Sequence, residues 1–114
     1  MKKRAVILFN LGGPDRLESV RPFLRNLFND RAIINLPAVL RYLISWIISY
    51  SRDKEAQKIY KKIGGNSPLL ANTKKQALAL EKALNKKGTK ETRCFIGMRY
   101  WHPFIKETVK DLLK

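Results

Sequence analysis

The run YKKIGGNSPL at residues 60–69 places a phenol, Tyr60, and a hydroxyl, Ser67, on either side of a Gly-Gly pair. Gly64 and Gly65 can take positive φ and stop a helix near Ile63, while Pro68 fixes its own φ and pushes Ser67 away from the helical region. Turn chemistry accounts for the bend but not for the polar residues that flank it. Other reactive side chains are few. His102 is the single histidine, and without a second His or a Cys nearby it cannot complete a metal site. Cys94 is the single cysteine, so no disulfide forms within the chain; it fits a reducing compartment and reads as a buried structural thiol. Gly12-Gly13-Pro14 lacks both the GxGxxG and the P-loop spacing and gives no nucleotide signature.

The 114 residues suffice for one small domain and not for two. With 45% hydrophobic and 29% charged residues the chain is an ordinary folded protein, without repeats or low-complexity tracts. Its charge is unusual: 24 Lys and Arg against 9 Asp and Glu, a formal +15. Such an excess attracts polyanions, acidic membrane surfaces or a carboxylate-bearing ligand. The lysines are spread in pairs such as Lys61-Lys62, Lys74-Lys75 and Lys86-Lys87, a pattern of solvated helix faces. A nucleic-acid-binding domain, which concentrates basic residues in a stripe, is the alternative outside the reading developed below. MKKR is followed by too short an apolar run, Ala5 to Phe9, for a secretory signal.

These residues need elements to hold them. Val6 to Phe9 form a short apolar strand of the kind covered on both faces, and Gly12-Gly13-Pro14 turns the chain. Val20, Phe23, Leu24, Leu27 and Phe28 then mark one face of a helix that ends at Asp30-Arg31. Pro37 starts a helix whose residues 38–50 are apolar all round, with Arg41 the only charge. About 13 helical residues rise roughly 20 Å, short of a membrane span, so this segment requires a core, an apolar ligand or a membrane surface. Residues 51–63 resume as a polar helix with Ala56, Ile59, Tyr60 and Ile63 as its apolar line. Thr73 is positioned to cap a further helix with Ala77, Leu80 and Leu84 inward, ending at Lys86-Lys87-Gly88. Residues 93–98 read as a second strand, and Pro103 opens a last helix with Ile105, Val109, Leu112 and Leu113 spaced for burial. The order predicts an α/β fold with a partial parallel, Rossmann-like sheet. The amphipathic pattern reaches Lys114 without a closing signal, as at the front of a larger domain.

Four segments, NLGGP at 10–14, LFNDRAIINLP at 27–37, YKKIGGNSPL at 60–69 and IGMRYWHP at 96–103, together resemble the N-terminal part of ferrochelatase, in order and with near-family spacing. The resemblance covers essentially all 114 residues. It implies a chelatase-type half-domain over residues 1–114 with a helical hydrophobic lip, formed in part by residues 38–50, over a porphyrin. It also implies Fe²⁺ insertion into protoporphyrin IX, a lyase activity and a step of haem biosynthesis. Porphyrin and Fe²⁺ are then substrates, and no cofactor or catalytic group is expected in this chain.

Carried over by position, Leu11 matches a residue lying against the porphyrin face, where some relatives have Met or Tyr; a leucine cannot ligate iron. Phe28 and Ile33 match apolar lip positions, and Arg52 matches a basic residue that can pair with a propionate. Tyr60 and Ser67 match polar groups at the macrocycle edge, although Tyr60 also lies on an apolar line and could be core, and Ser67 could be only a turn residue. The family's metal-insertion histidine and its acidic partner lie beyond this region, so His102 is expected to be structural or capping. The resemblance implies an inactive fragment of an active enzyme with a C-terminal half elsewhere; a non-catalytic porphyrin-binding module and a homodimer are the other arrangements. It places the protein in the cytoplasm, peripheral at the inner membrane face through residues 38–50.

Overall fold

The computed structural model describes residues 2–88 and 90–113, which form two compact units. The first takes the chain up to Gly12 and resumes at Pro68; the second is Gly13–Ser67.

In the first unit, strand β1 (Lys3–Asn10) and strand β2 (Glu91–Met98) pair in parallel, from Lys3 opposite Glu91 to Asn10 opposite Met98. A parallel pair cannot be joined by a tight turn. The crossover here ends in helix α3 (Leu69–Lys87), which packs mainly on β2, as does helix α4 (Ile105–Leu112). Pairing continues beyond β2, where the Arg99 and Tyr100 N–H groups donate to the carbonyls of Asn10 and Leu11 at 3.1 and 2.9 Å. Asn85 borrows the same logic at the other end: its side-chain amide donates to the Thr92 carbonyl and accepts from the Thr92 N–H, occupying backbone groups that would otherwise lack partners.

The α/β order and the parallel pairing agree with the sequence expectation. Several details differ. Val6, Ile7 and Leu8 are half-buried and Phe9 is exposed, so β1 is not covered on both faces among the described residues. Helix α3 begins at Leu69, straight after Pro68, and Thr73 is not its cap. The Thr73 hydroxyl sits inside the helix and donates to the Leu69 carbonyl at 2.7 Å, which lets a polar side chain be buried at no hydrogen-bonding loss. Ala77 is buried as expected, but Leu80 is exposed. In α4 the buried residue is Thr108, whose hydroxyl donates to the Ile96 carbonyl, while Ile105, Val109 and Leu113 are exposed. Apolar spacing named the residues of that face without naming a neighbour to cover it.

The second unit is a helical hairpin. After a 3-10 turn at Leu17–Ser19, helix α1 (Val20–Phe28) packs on helix α2 (Ala38–Lys62). Residues 38–50 and 51–63 are thus not two helices: α2 runs on for 25 residues. Advancing along α1 means retreating along α2, since Arg21 meets Tyr50 and Asp53 and Arg25 meets Trp46. The helices are antiparallel. Gly64 and Gly65 end α2 at φ of 103° and 86°, with the Gly65 N–H donating to the Tyr60 carbonyl at 2.8 Å, the left-handed stop expected of the pair.

Candidate functional site

Helix α2 is turned the opposite way from what its composition suggests. Its buried line is Ser45, Ser49 and Asp53, four residues apart and so stacked on one face. Both serines have no exposed surface, and their small side chains let α1 approach closely. Neither hydroxyl is stranded, because Ser45 donates to the Tyr42 carbonyl at 2.6 Å and Ser49 to that of Trp46 at 2.9 Å. Asp53 accepts from Arg21 Nη2 at 2.8 Å and Gln57 Nε2 at 2.9 Å, so its buried carboxylate is paired. Arg21 and Arg25 also lie over the rings of Tyr50 and Trp46 at 4.2 and 3.5 Å, a cation–π ladder along the seam.

With small and polar residues inside, the large apolar ones point out. Leu40, Leu43 and Ile47 are 47%, 54% and 67% exposed, and Val39 and Tyr50 are exposed beside them. Monomeric proteins rarely leave so contiguous an apolar stripe uncovered without a ligand, partner or membrane to meet it. Residues 38–50 are therefore a surface and not a sealed core.

The residues singled out by sequence fall as follows. In the second unit, Phe28 closes α1 half-buried, and the exposed Arg52 holds its guanidinium 5.8 Å from the Phe28 ring. Ile33 is exposed on the turn after α1, its N–H donating to the Asp30 carbonyl. Arg41 fixes the segment around Ile33 by donating to the carbonyls of Asn29 and Leu36, each at 2.9 Å. Tyr60 is half-buried two turns beyond Arg52, and burial pushes its phenol pKa up. Ser67 donates its N–H to the Pro14 carbonyl at 2.9 Å, and a Cβ on Gly13 would lie 2.5 Å from both Cβ and Oγ of Ser67. Phe28 and Arg52 are thus brought together, and Ser67 is fixed against Gly13.

In the first unit, Leu11 is exposed at the end of β1 and lines a cavity of about 430 Å³ with Phe9, Asn10, Arg99 and Ile105. Arg99 was not singled out from the sequence, and Ile105 was named only as a residue spaced for burial in the last helix. Arg99 could have been, since it lies within IGMRYWHP. Gly12 has φ +92°, and a side chain there would press on Met98 Cβ at 3.2 Å and the Trp101 nitrogen at 3.3 Å. His102 packs edge-on between Trp101 and Phe104, and its Nδ1 lies 2.6 Å from Glu107 Oε1 in the first turn of α4. It ties the turn to the helix. Cys94 is half-buried, not fully so as expected, and burial together with the Glu81 carboxylate raises its thiol pKa against the opposing pull of Arg4.

Among the described residues no three His, Cys, Asp or Glu side chains gather as metal donors, and no helix is long and apolar enough to cross a membrane. The family model described as Ferrochelatase matches residues 3–114. The chain belongs to the ferrochelatase family. Ferrochelatase of Rickettsia bellii (strain OSU 85-389) is 56% identical over 111 residues, 97% of this chain and 31% of its own length. Ferrochelatase of Wolbachia sp. subsp. Drosophila simulans (strain wRi) is 56% identical over 110 residues, 96% of this chain and 35% of its own length. That of Pelagibacter ubique (strain HTCC1062) is 54% identical over 111 residues, with 96% and 32% covered. The chain spans about a third of the length of these relatives. The ferrochelatase motifs are also physically joined: NLGGP meets IGMRYWHP at Gly12 in the first unit, and GGP meets GGNSPL at Gly13 and Pro14 in the second.

Proposed function

We propose that this chain is the N-terminal, porphyrin-binding part of a ferrochelatase, the lyase that inserts Fe²⁺ into protoporphyrin IX in haem biosynthesis. The supporting observation is the outward apolar face of α2, which puts Leu40, Leu43 and Ile47 at the surface instead of in a core. Phe28 and Ile33 extend that apolar character at the end of α1 and the turn after it. Arg52 supplies a cation for a propionate, and Tyr60 and Ser67 supply a phenol and a hydroxyl for the macrocycle edge. On the first unit, Leu11 offers an exposed aliphatic contact without a metal ligand.

Metallation removes two pyrrole protons and strips water from Fe²⁺, so an enzyme must bend the ring, accept protons and present the metal. In this reading the chain's own residues bind and orient the porphyrin and exclude water from its face. The proton acceptor and the iron site belong to a C-terminal half of the enzyme, and this stretch by itself does not insert iron. The protein works in the cytoplasm, with residues 38–50 touching the inner face of the membrane.

Titration with protoporphyrin tests the wall. In a Trp101→Phe background, Soret absorbance and quenching of Trp46 should report micromolar uptake. Arg52→Ala should weaken it about fivefold, the worth of one exposed charge-assisted contact of about 1 kcal/mol, and Tyr60→Phe should weaken it less. Absence of uptake, or uptake indifferent to both substitutions, would refute the assignment.

A further inference from the structure

The outward stripe of α2 has a second half. Continuing from Leu40, Leu43 and Ile47 at helical spacing, the same line passes through Lys54, Lys58 and Lys61, and all six side chains are exposed. Asp53 is turned inward to Arg21, and Glu55, about 100° round the helix from Lys54 and about 60° from Lys58, stands on the flank of the line, which leaves the stripe net positive. From Leu40 to Lys61 the stripe runs ~32 Å, apolar for its first part and cationic for the rest.

A helix face is convex, so this stripe can serve as one wall of a porphyrin site but cannot by itself enclose a small molecule, and its full length is left for a larger partner. It suits an extended, flat partner. Most interfacial helices carry their cations along the flanks of an apolar face and lie level. Here the two characters are separated along the axis, which suits a helix that enters at an angle with its N-terminal half deeper. The partner that offers an apolar layer with negative charge a few ångströms above it is an anionic bilayer.

We propose that α2 docks obliquely on an anionic phospholipid surface, with Leu40, Leu43 and Ile47 entering the acyl boundary and Lys54, Lys58 and Lys61 holding the headgroups. The proposal rests on the reading of residues 38–50 as a membrane contact and adds to it a headgroup requirement. Membrane charge then sets how much of the protein is docked.

Sedimentation of the whole chain with vesicles of phosphatidylcholine alone, or of phosphatidylcholine mixed with phosphatidylglycerol, tests it. Each lysine near such a surface contributes about fivefold, so the mixed vesicles should bind on the order of 100-fold more tightly, with the gain falling as salt is raised. Replacing Lys54, Lys58 and Lys61 together with Gln should abolish the preference while leaving the weak binding to phosphatidylcholine. The same change at Lys74, Lys75 and Lys82 of α3, equal in net charge, should leave the preference in place. Equal binding to both vesicles would overturn the headgroup requirement and keep the membrane contact. Binding to neither would overturn both, and self-association in light scattering without vesicle binding would assign the face to a second copy. A preference lost equally in both triple variants would show attraction by net charge alone and overturn the assignment to α2.

Discussion

Gly13→Ala isolates the contact that joins two motifs within the second unit. A Cβ at this position would lie 2.5 Å from Ser67 Cβ and equally close to Ser67 Oγ, about 1 Å inside ordinary van der Waals separation for each. Retreat is restricted, because the Ser67 N–H donates to the Pro14 carbonyl at 2.9 Å, and moving the segments apart stretches that bond. Overpacking costs about 1–3 kcal/mol and the weakened hydrogen bond about 1 more, so a loss of roughly 2–4 kcal/mol is expected. For a chain of this size that lowers the melting temperature by about 10 °C or more. Far-UV circular dichroism during thermal and urea unfolding reads the loss. Ser67→Gly removes both obstructing atoms, so Gly13→Ala in that background should cost under about 1 kcal/mol, giving a coupling of about 2 kcal/mol. A cost that is the same in both backgrounds would refute the steric argument, since the penalty would then arise from the backbone of Gly13 alone.

The Arg21–Asp53 pair should be asymmetric. Arg21→Ala leaves a carboxylate whose side chain is 7% exposed without its cation, held only by the neutral Gln57 amide, and should cost about 3 kcal/mol, whereas Asp53→Ala leaves an arginine 39% exposed that can turn to water, at about 2 kcal/mol; urea midpoints of the two variants decide the order. At Cys94, burial and Glu81 favour the protonated thiol, so less thiolate is present at a given pH and alkylation near pH 8 should be slower than for a free cysteine. Glu81→Gln should shift the rate–pH profile to lower pH, and an unmoved profile would exclude the carboxylate as a cause.

Much of the local structure was legible because it depends on neighbours in the chain. The glycines at 64 and 65 had to take the left-handed region to stop α2, and they do. The apolar line through Val20, Phe23 and Leu24 is the buried face of α1 because a short helix with one greasy side has one way to bury it. Four motifs, held in order by the chain itself, were enough to point to the family. What the tertiary structure decided was direction. Ser45, Ser49 and Asp53 face inward on α2 because α1 brings two arginines and a close backbone to that side, and no count of apolar residues along 38–50 could show that the larger ones would be left outside. Thr108 can be buried because the Ile96 carbonyl, twelve residues back on β2, stands within reach of its hydroxyl, a matter of distance in space, whereas the Thr73 hydroxyl is satisfied by the i−4 carbonyl of its own helix. The pairing of Lys3 with Glu91, and the fit of Gly13 against Ser67, join residues far apart in sequence. Composition says which side chains would gain from burial, but only the packed chain settles which of them find a partner.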